Sequence, residues 1–423
     1  MHYKISDLTK IPTNSKMAIL LLASMCICLV GFADERGINQ ILVGIMAFSP
    51  IMLISAKKEI YIDDIGFILF WILIYIFSTF TPNSFRSSTL IYSGLFISTY
   101  LAFLNYLRRG FLPIRLYVTI IRVFIFLFTI FLVLQQLCVL LGLPIPNDAQ
   151  QIAVSKWKLN TLTLEPSHAA RLVFIFMYSY ILCVGKMIGQ TYSLKIRWKK
   201  DKLVWIAFFW TMITMISSTA VILLVILLVK ATFIQAKSFV NLLVGSVLFG
   251  VIFFFFIPES LIDRPLRVIE AVFSLDPDAV VGADDSASFR IVPAMIILDN
   301  IDLFDTDIWV GHGVDYDQVL LYQKMGERLG EKGGGGILTV MLNYGMISFL
   351  LFLLLIFKTS FSLKDPFGIL IWILFFSLGG LNTQVFWAIQ MFYTANKFFL
   401  EKTRRKIPAR RLYRYKKHDY ANI

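Results

Sequence analysis

The chain of 423 residues is 58% hydrophobic and only 16% charged, with 39 phenylalanines and a formal net charge of +13. A soluble domain is nearer half apolar and a quarter charged, so composition excludes an ordinary soluble globular protein. Cys26, Cys28, Cys138 and Cys183 all lie inside apolar runs and form no CxxC, which argues against a disulfide framework or a thiolate metal site.

The apolar residues gather into runs long enough to cross a bilayer as helix, which takes about 20 residues. The pattern predicts about twelve spans. They run over 17–33, 38–56, 65–81, 89–106, 116–142, 169–188, 203–216, 218–235, 238–257, 337–357, 366–380 and 383–398. A single helix over 203–235 would overshoot the bilayer. The polar interruption "ISSTA" (Ile216 to Ala220) instead predicts two short helices meeting there. "GGLNT" (Gly379 to Thr383) divides the last apolar stretch in the same way. No cleavable signal pattern precedes the first run.

Lysine and arginine fix the expected sidedness. They concentrate in alternate links, at Lys57–Lys58, Arg108–Arg109 and between Lys186 and Lys202, and in the tail "EKTRRKIPARRLYRYKK". The positive-inside rule then predicts both termini in the cytoplasm. The tail reads as a juxtamembrane segment meeting anionic lipid, not as a nucleic-acid site. Residues 258–335 are opposite in character, with 15 acidic against 6 basic residues. The expected organisation is membrane helices over 1–257, a large extracytoplasmic loop over 258–335, further membrane helices over 336–398, and a basic cytoplasmic tail over 399–423.

Within the loop, Arg290 to Phe304 predicts a helix lying on the outer leaflet or capping the bundle, with Pro293 in its first turn. Asp317 to Lys332 predicts a more polar helix. The acidic clusters "LDPD", "GADDS" and "DTD" lack calcium-loop spacing and read as solvated, so neither metal nor cofactor is expected. Arg171, Arg264, Arg267 and Arg290 fall near the expected outer membrane plane. A guanidinium fork there suits phosphate oxygens, with snorkelling and acid pairing as the bland alternative.

These features in order resemble the bacterial O-antigen and exopolysaccharide polymerases (Wzy-type) and the wider O-antigen ligase-polymerase superfamily. Glu165-Pro166-Ser167 followed by Arg171 resembles an element ahead of a middle span. "TMISSTAVILL" (Thr214 to Leu224) resembles a broken double span. Ser288-Phe289-Arg290, then Gly311-His312-Gly313, then "GGILTVMLNYGMISFLLF" (Gly335 to Phe352), resemble the large loop and the span that follows. The order covers most of the chain, but no single motif is specific. One departure is that the histidine many relatives carry before that span is replaced by Gly334-Gly335.

The resemblance implies an all-α polytopic, GT-C-like membrane protein in the bacterial cytoplasmic membrane. It implies a metal-independent glycosyltransferase that joins undecaprenyl-pyrophosphate-linked glycan units, with a chain-length regulator and a flippase as partners. Arg171 and Arg290, assisted by Arg264 or Arg267, are the expected pyrophosphate clamp. Glu165, His168, His312 and Asp315 are candidates for a general base. His312 reads first as a turn residue, Glu165 as a helix cap or an arginine partner, and Tyr178 as packing in preference to lining a sugar cavity. The rival expectations are a ligase acting on lipid A core and, from another class, a lipid-linked glycan flippase.

Overall fold

The computed structural model describes residues 11–32, 39–56, 61–80, 86–147, 157–188, 194–215, 217–233, 267, 270–283, 285–326, 336–377 and 379–401. For 194–200, 231–233, 285–287 and 289–290 it describes the backbone alone. The predicted span 238–257, Arg264, Gly334-Gly335 and the tail from 402 lie outside these residues. Every extended element described is a helix.

In chain order the helices are α1 (Thr13–Cys26), α2 (Gln40–Ala47), α3 (Ser49–Ala56), α4 (Ile62–Phe80), α5 (Ser87–Arg108), α6 (Ile114–Leu141), α7 (Pro166–Ile188), α8 (Leu194–Thr214) and α9 (Ser218–Phe233). Next come α10 (Pro277–Ala283), α11 (Asp285–Asp299), α12 (Thr306–Val310), α13 (Tyr316–Met325), α14 (Leu338–Ser360), α15 (Pro366–Ile371), a π segment over Trp372–Phe376, and α16 (Gln384–Glu401).

Five of these, α4, α5, α6, α7 and α14, are long and apolar enough to cross a membrane. Burial ranks them: 72% of the apolar window is buried in α5 and α7, against 28% in α4 and 33% in α6. The outer helices carry their exposed residues as stripes. On α6 the stripe is Val123, Leu127, Ile130, Leu134, Leu137 and Leu141, at helical spacing. In water such a stripe would drive association. Facing acyl chains it costs nothing, which is compatible with a membrane protein.

Of the twelve expected spans, the described residues show some as long helices and others as short or broken ones. The first predicted span is the 14-residue α1, and the second is α2 and α3, hinged at Phe48. Residues 203–235 do split, with α8 ending at Thr214 and α9 starting at Ser218. The eleventh is a short α15 that widens into π geometry, and residues 379–383 separate it from α16. α16 is not apolar enough for a lipid-facing helix, and the reason is its place at the centre. Its polar side chains meet neighbours: Thr394 Oγ1 lies 2.7 Å from the Tyr100 hydroxyl, and Asn396 donates to Ser179 Oγ at 2.9 Å.

Aromatic packing joins these central helices. Trp387 of α16 lies 5.3 Å from Tyr100 of α5 and 6.2 Å from Phe352 of α14. Such tilted and edge-to-face pairs contribute about 0.5–1.5 kcal/mol each beyond area. That counts for more here, because lipid leaves little hydrophobic drive between helices. Gly94 admits close contact at the α4–α5 crossing. A Cβ there would sit 2.7 Å from the indole nitrogen of Trp71, which donates to the Leu90 carbonyl.

The bundle has two distinguishable ends. One, the loop end, carries the start of α5, the end of α6, the start of α7 and the start of α14. The tail end carries the start of α4, the end of α5 and the ends of α14 and α16. There Arg108 bridges Asp63 and Asp64, Lys358 pairs with Asp63 at 2.9 Å, and Lys186 donates to the Leu400 carbonyl.

Candidate functional site at the loop end

The segment 157–165 ahead of α7 is buried over 159–163 and must satisfy its own backbone. Three side chains do this. Asn147, itself left-handed at φ 59°, donates to the carbonyls of Thr161 at 2.7 Å and Cys28 at 3.3 Å, and accepts from the Val30 N–H at 2.6 Å. Gln135, fully buried on α6, donates to the Pro146 carbonyl at 2.8 Å and accepts from the Thr161 N–H at 2.9 Å. Asn160 donates to the Thr163 carbonyl at 2.6 Å. Thr163 Oγ1 then donates to the Glu165 carbonyl at 2.7 Å. This polar knot fixes the entry into α7.

At that entry the Glu165 carbonyl accepts from the His168 and Ala169 N–H groups, both at 3.1 Å, and Pro166 takes the first helical position. Ser167 Oγ donates to Glu165 Oε2 at 3.1 Å, and His168 Nε2 lies 3.9 Å from the same oxygen. Arg171 follows one turn beyond Ser167 and is 7% exposed. The result is a half-exposed carboxylate flanked by a hydroxyl and an imidazole, with a buried guanidinium deeper on the same helix. A carboxylate of this kind can accept a proton. The guanidinium, close to the positive end of the helix dipole, favours an anion.

The Gly311-His312-Gly313 stretch lies across α14. That helix breaks at Gly345 (φ 84°, ψ 161°), which frees carbonyls of the preceding turn. The His312 N–H donates to the Leu342 carbonyl at 3.1 Å and the Gly313 N–H to the Asn343 carbonyl at 2.9 Å. Two backbones touch here. A Cβ on Gly311 (φ 93°) would lie 2.5 Å from the Asn343 carbonyl oxygen, and one on Gly345 would collide with the Trp309 carbonyl. The two glycine-bearing motifs noted separately in the sequence are therefore halves of one crossing.

The His312 ring has Nδ1 3.2 Å from the Leu342 carbonyl and stacks on Tyr316 at 4.3 Å. Asp305, Asp307 and His312 also bring one ligand atom each within 4.8 Å of one another, a spacing that can hold a divalent cation. The two aspartates are exposed.

The remaining candidates separate. Asp315, a candidate base, is left-handed (φ 62°) and pairs with Arg86 at 3.0 Å, which fastens the loop to the start of α5. Asp317 is buried and accepts from Asn343 Nδ2 at 2.9 Å. Burial raises its carboxyl to about 6, against the lowering effect of the Asn343 hydrogen bond and with Asp315 adding to the rise. Arg267 is exposed. Arg290 occupies the sixth position of α11, but its side chain, like Arg264, lies outside the described residues. α11 begins at Asp285, so Pro293 is interior and not in the first turn. It caps the bundle: Val292, Ile296 and Ile297 form one apolar cluster with Met341 and Leu342 of α14.

Sequence reasoning missed a buried charge pair at the tail end. Lys230 Nζ of α9 lies 2.9 Å from Asp365 Oδ1 and 2.5 Å from the Tyr178 hydroxyl, over the faces of Tyr178 and Phe367. Tyr178 in turn donates to Asp365. Tyr178 is thus a member of a charge cluster, not sugar-cavity lining. The available signal was a lone lysine ending the run "AVILLVILLVK".

No protein-family model, curated protein or solved structure matches this chain.

Proposed function

We propose that the protein is a membrane glycosyltransferase that polymerises undecaprenyl-pyrophosphate-linked oligosaccharide units at the outer face of the bacterial cytoplasmic membrane. The observation that carries this reading is the Glu165–Ser167–His168–Arg171 group, held by the polar knot at the end of the bundle where the large loop docks. In this reading the loop end faces outward, both termini are cytoplasmic, and the loop covers the reacting groups.

The chemistry needs two things. A sugar hydroxyl attacks C1 of the donor, forming a C–O bond as the bond from C1 to the pyrophosphate oxygen breaks. Glu165 takes the hydroxyl proton, with Ser167 and His168 orienting its carboxylate. Arg171 stabilises the charge that develops on the departing pyrophosphate, and Arg290 on α11 is the second cation of the clamp.

The test is glycan gel profiling of a deletion strain complemented with Glu165→Gln, Arg171→Ala or Arg290→Ala. Each variant is expected to accumulate single repeat units in place of polymer. Full-length polymer in both arginine variants would sink the clamp. The buried Lys230–Asp365 pair favours a flippase as second reading, since intramembrane charge is common in transport. Loss of all external lipid-linked units in the deletion strain would select it.

A further inference from the structure

At the tail end, the last turn of α14, the link 361–365, α15 and the last turns of α16 enclose an open groove of about 560 Å³. Its lining is two-part. Phe357, Phe361, Leu363 and Ile369 are its apolar lining, and Ser362, Lys364, Lys397 and Glu401 its polar lining.

Leu363 is 92% exposed, the most exposed leucine of the described residues, and it occupies a turn between two helices where water would gain nothing from it. Phe357 is also 38% exposed. Charge on this rim is unbalanced. Lys358 is already paired with Asp63, and Asp365 with Lys230. Glu401 lines the groove with Lys364 and Lys397, Asp63 and Lys358 also act on Lys397, and the chain continues from Glu401 into the basic run Lys402 to Lys406.

We propose that this groove is a binding site for one anionic phospholipid, with an acyl chain against Phe357, Phe361 and Leu363 and the headgroup phosphate between Lys364 and Lys397. An apolar body joined to a single anionic head matches both halves of the lining. A soluble anion would leave the apolar lining wet, and a zwitterionic lipid would place its own cation against the lysines. Lysine at a membrane surface contributes about 1 kcal/mol toward an anionic headgroup, or about five-fold in affinity. The proposal rests on the membrane-spanning reading of the helices and is independent of the polymerase reading.

Native mass spectrometry of the detergent-purified full-length protein tests it, with phosphatidylglycerol and phosphatidylcholine of identical acyl chains offered at equal concentration. Wild type is expected to retain phosphatidylglycerol about ten-fold better, and excess inorganic phosphate should not displace it. Lys364→Gln should cut the preference about five-fold, and Lys364→Gln/Lys397→Gln should abolish it. Leu363→Ser should weaken retention of both lipids.

Lys397 also donates to the Lys358 carbonyl, so its replacement can loosen α16. The Lys364 backbone N–H donates to Ser362 Oγ, a bond that Lys364→Gln keeps, so the single variant reads the loss of the ammonium. Equal retention of the two lipids by wild type would overturn the proposal. So would displacement by phosphate, or a preference that survives in the double variant, which would trace it to the basic tail.

Discussion

At the loop end, chain crosses chain with almost no side chain between. Gly311 rests on the break at Gly345, two loop N–H groups take two freed carbonyls of α14, and a neutral amide, Asn343, receives Asp317. At the tail end the fastening is ionic. Lys230 and Asp365 are 9% and 13% exposed at their side chains, and Arg108 spans two aspartates. The contrast teaches where each device is affordable. A backbone crossing needs no charge of its own but tolerates no side chain at Gly311 or Gly345. A buried ion pair tolerates conformational change poorly, because either partner alone is an uncompensated charge.

Breaking the ionic end should have the largest effect. Lys230→Met leaves Asp365 buried beside Tyr178 and is expected to cost about 3–5 kcal/mol, read as a fall in thermal unfolding temperature in detergent. The double variant Lys230→Met/Asp365→Asn should recover most of it. If the double variant is as unstable as the single, packing and not charge holds that end.

Gly345→Ala attacks the other device. Its φ and ψ fall where an L-residue is strained by about 3 kcal/mol, and the new methyl collides with the Trp309 carbonyl. Limited proteolysis should then cut within 300–326 much faster than in wild type, while the tail end keeps its protection. Unchanged cleavage would show that the crossing does not hold the loop.

Asp317 sharpens the comparison through pH. Its folded carboxyl is raised to about 6, so the folded state holds the proton more tightly than the unfolded chain does. That contribution is complete below about pH 4 and is lost as pH rises through about 6, by up to about 3 kcal/mol. Loop protection against protease should therefore fall between pH 5 and pH 7.5, and Asp317→Asn should flatten the profile. Arg86→Ala should matter least. Its pair with Asp315 is half exposed at the arginine, and such pairs contribute under about 1 kcal/mol. A double-mutant cycle with Asp315→Ala measures it.

Much of the site's location is legible from local sequence, and little of its support is. Glu165-Pro166-Ser167 announces a helix entry, and Arg171 at helical spacing announces a buried cation on the same helix. Gln135, Asn147 and Asn160 do not announce themselves. Each is an ordinary polar residue until folding brings α6, the end of α1 and the 157–165 link together. Gly311 and Gly345 are similar: each looks like a turn glycine, and only their contact explains both.

The sequence by itself determined the helical class, the long apolar segments and the interruption within "ISSTA" (Ile216 to Ala220) that parts α8 from α9. These follow from hydropathy and from residues that interrupt a helix locally, which neighbours in the chain suffice to specify. Tertiary structure alone decided the rest. It set α16 at the centre despite its polar residues, paired Lys230 with Asp365 across 135 positions, and turned His312 toward Leu342. Those choices depend on which distant group supplies the missing partner for a buried charge, amide or carbonyl, and a one-dimensional pattern does not carry that information.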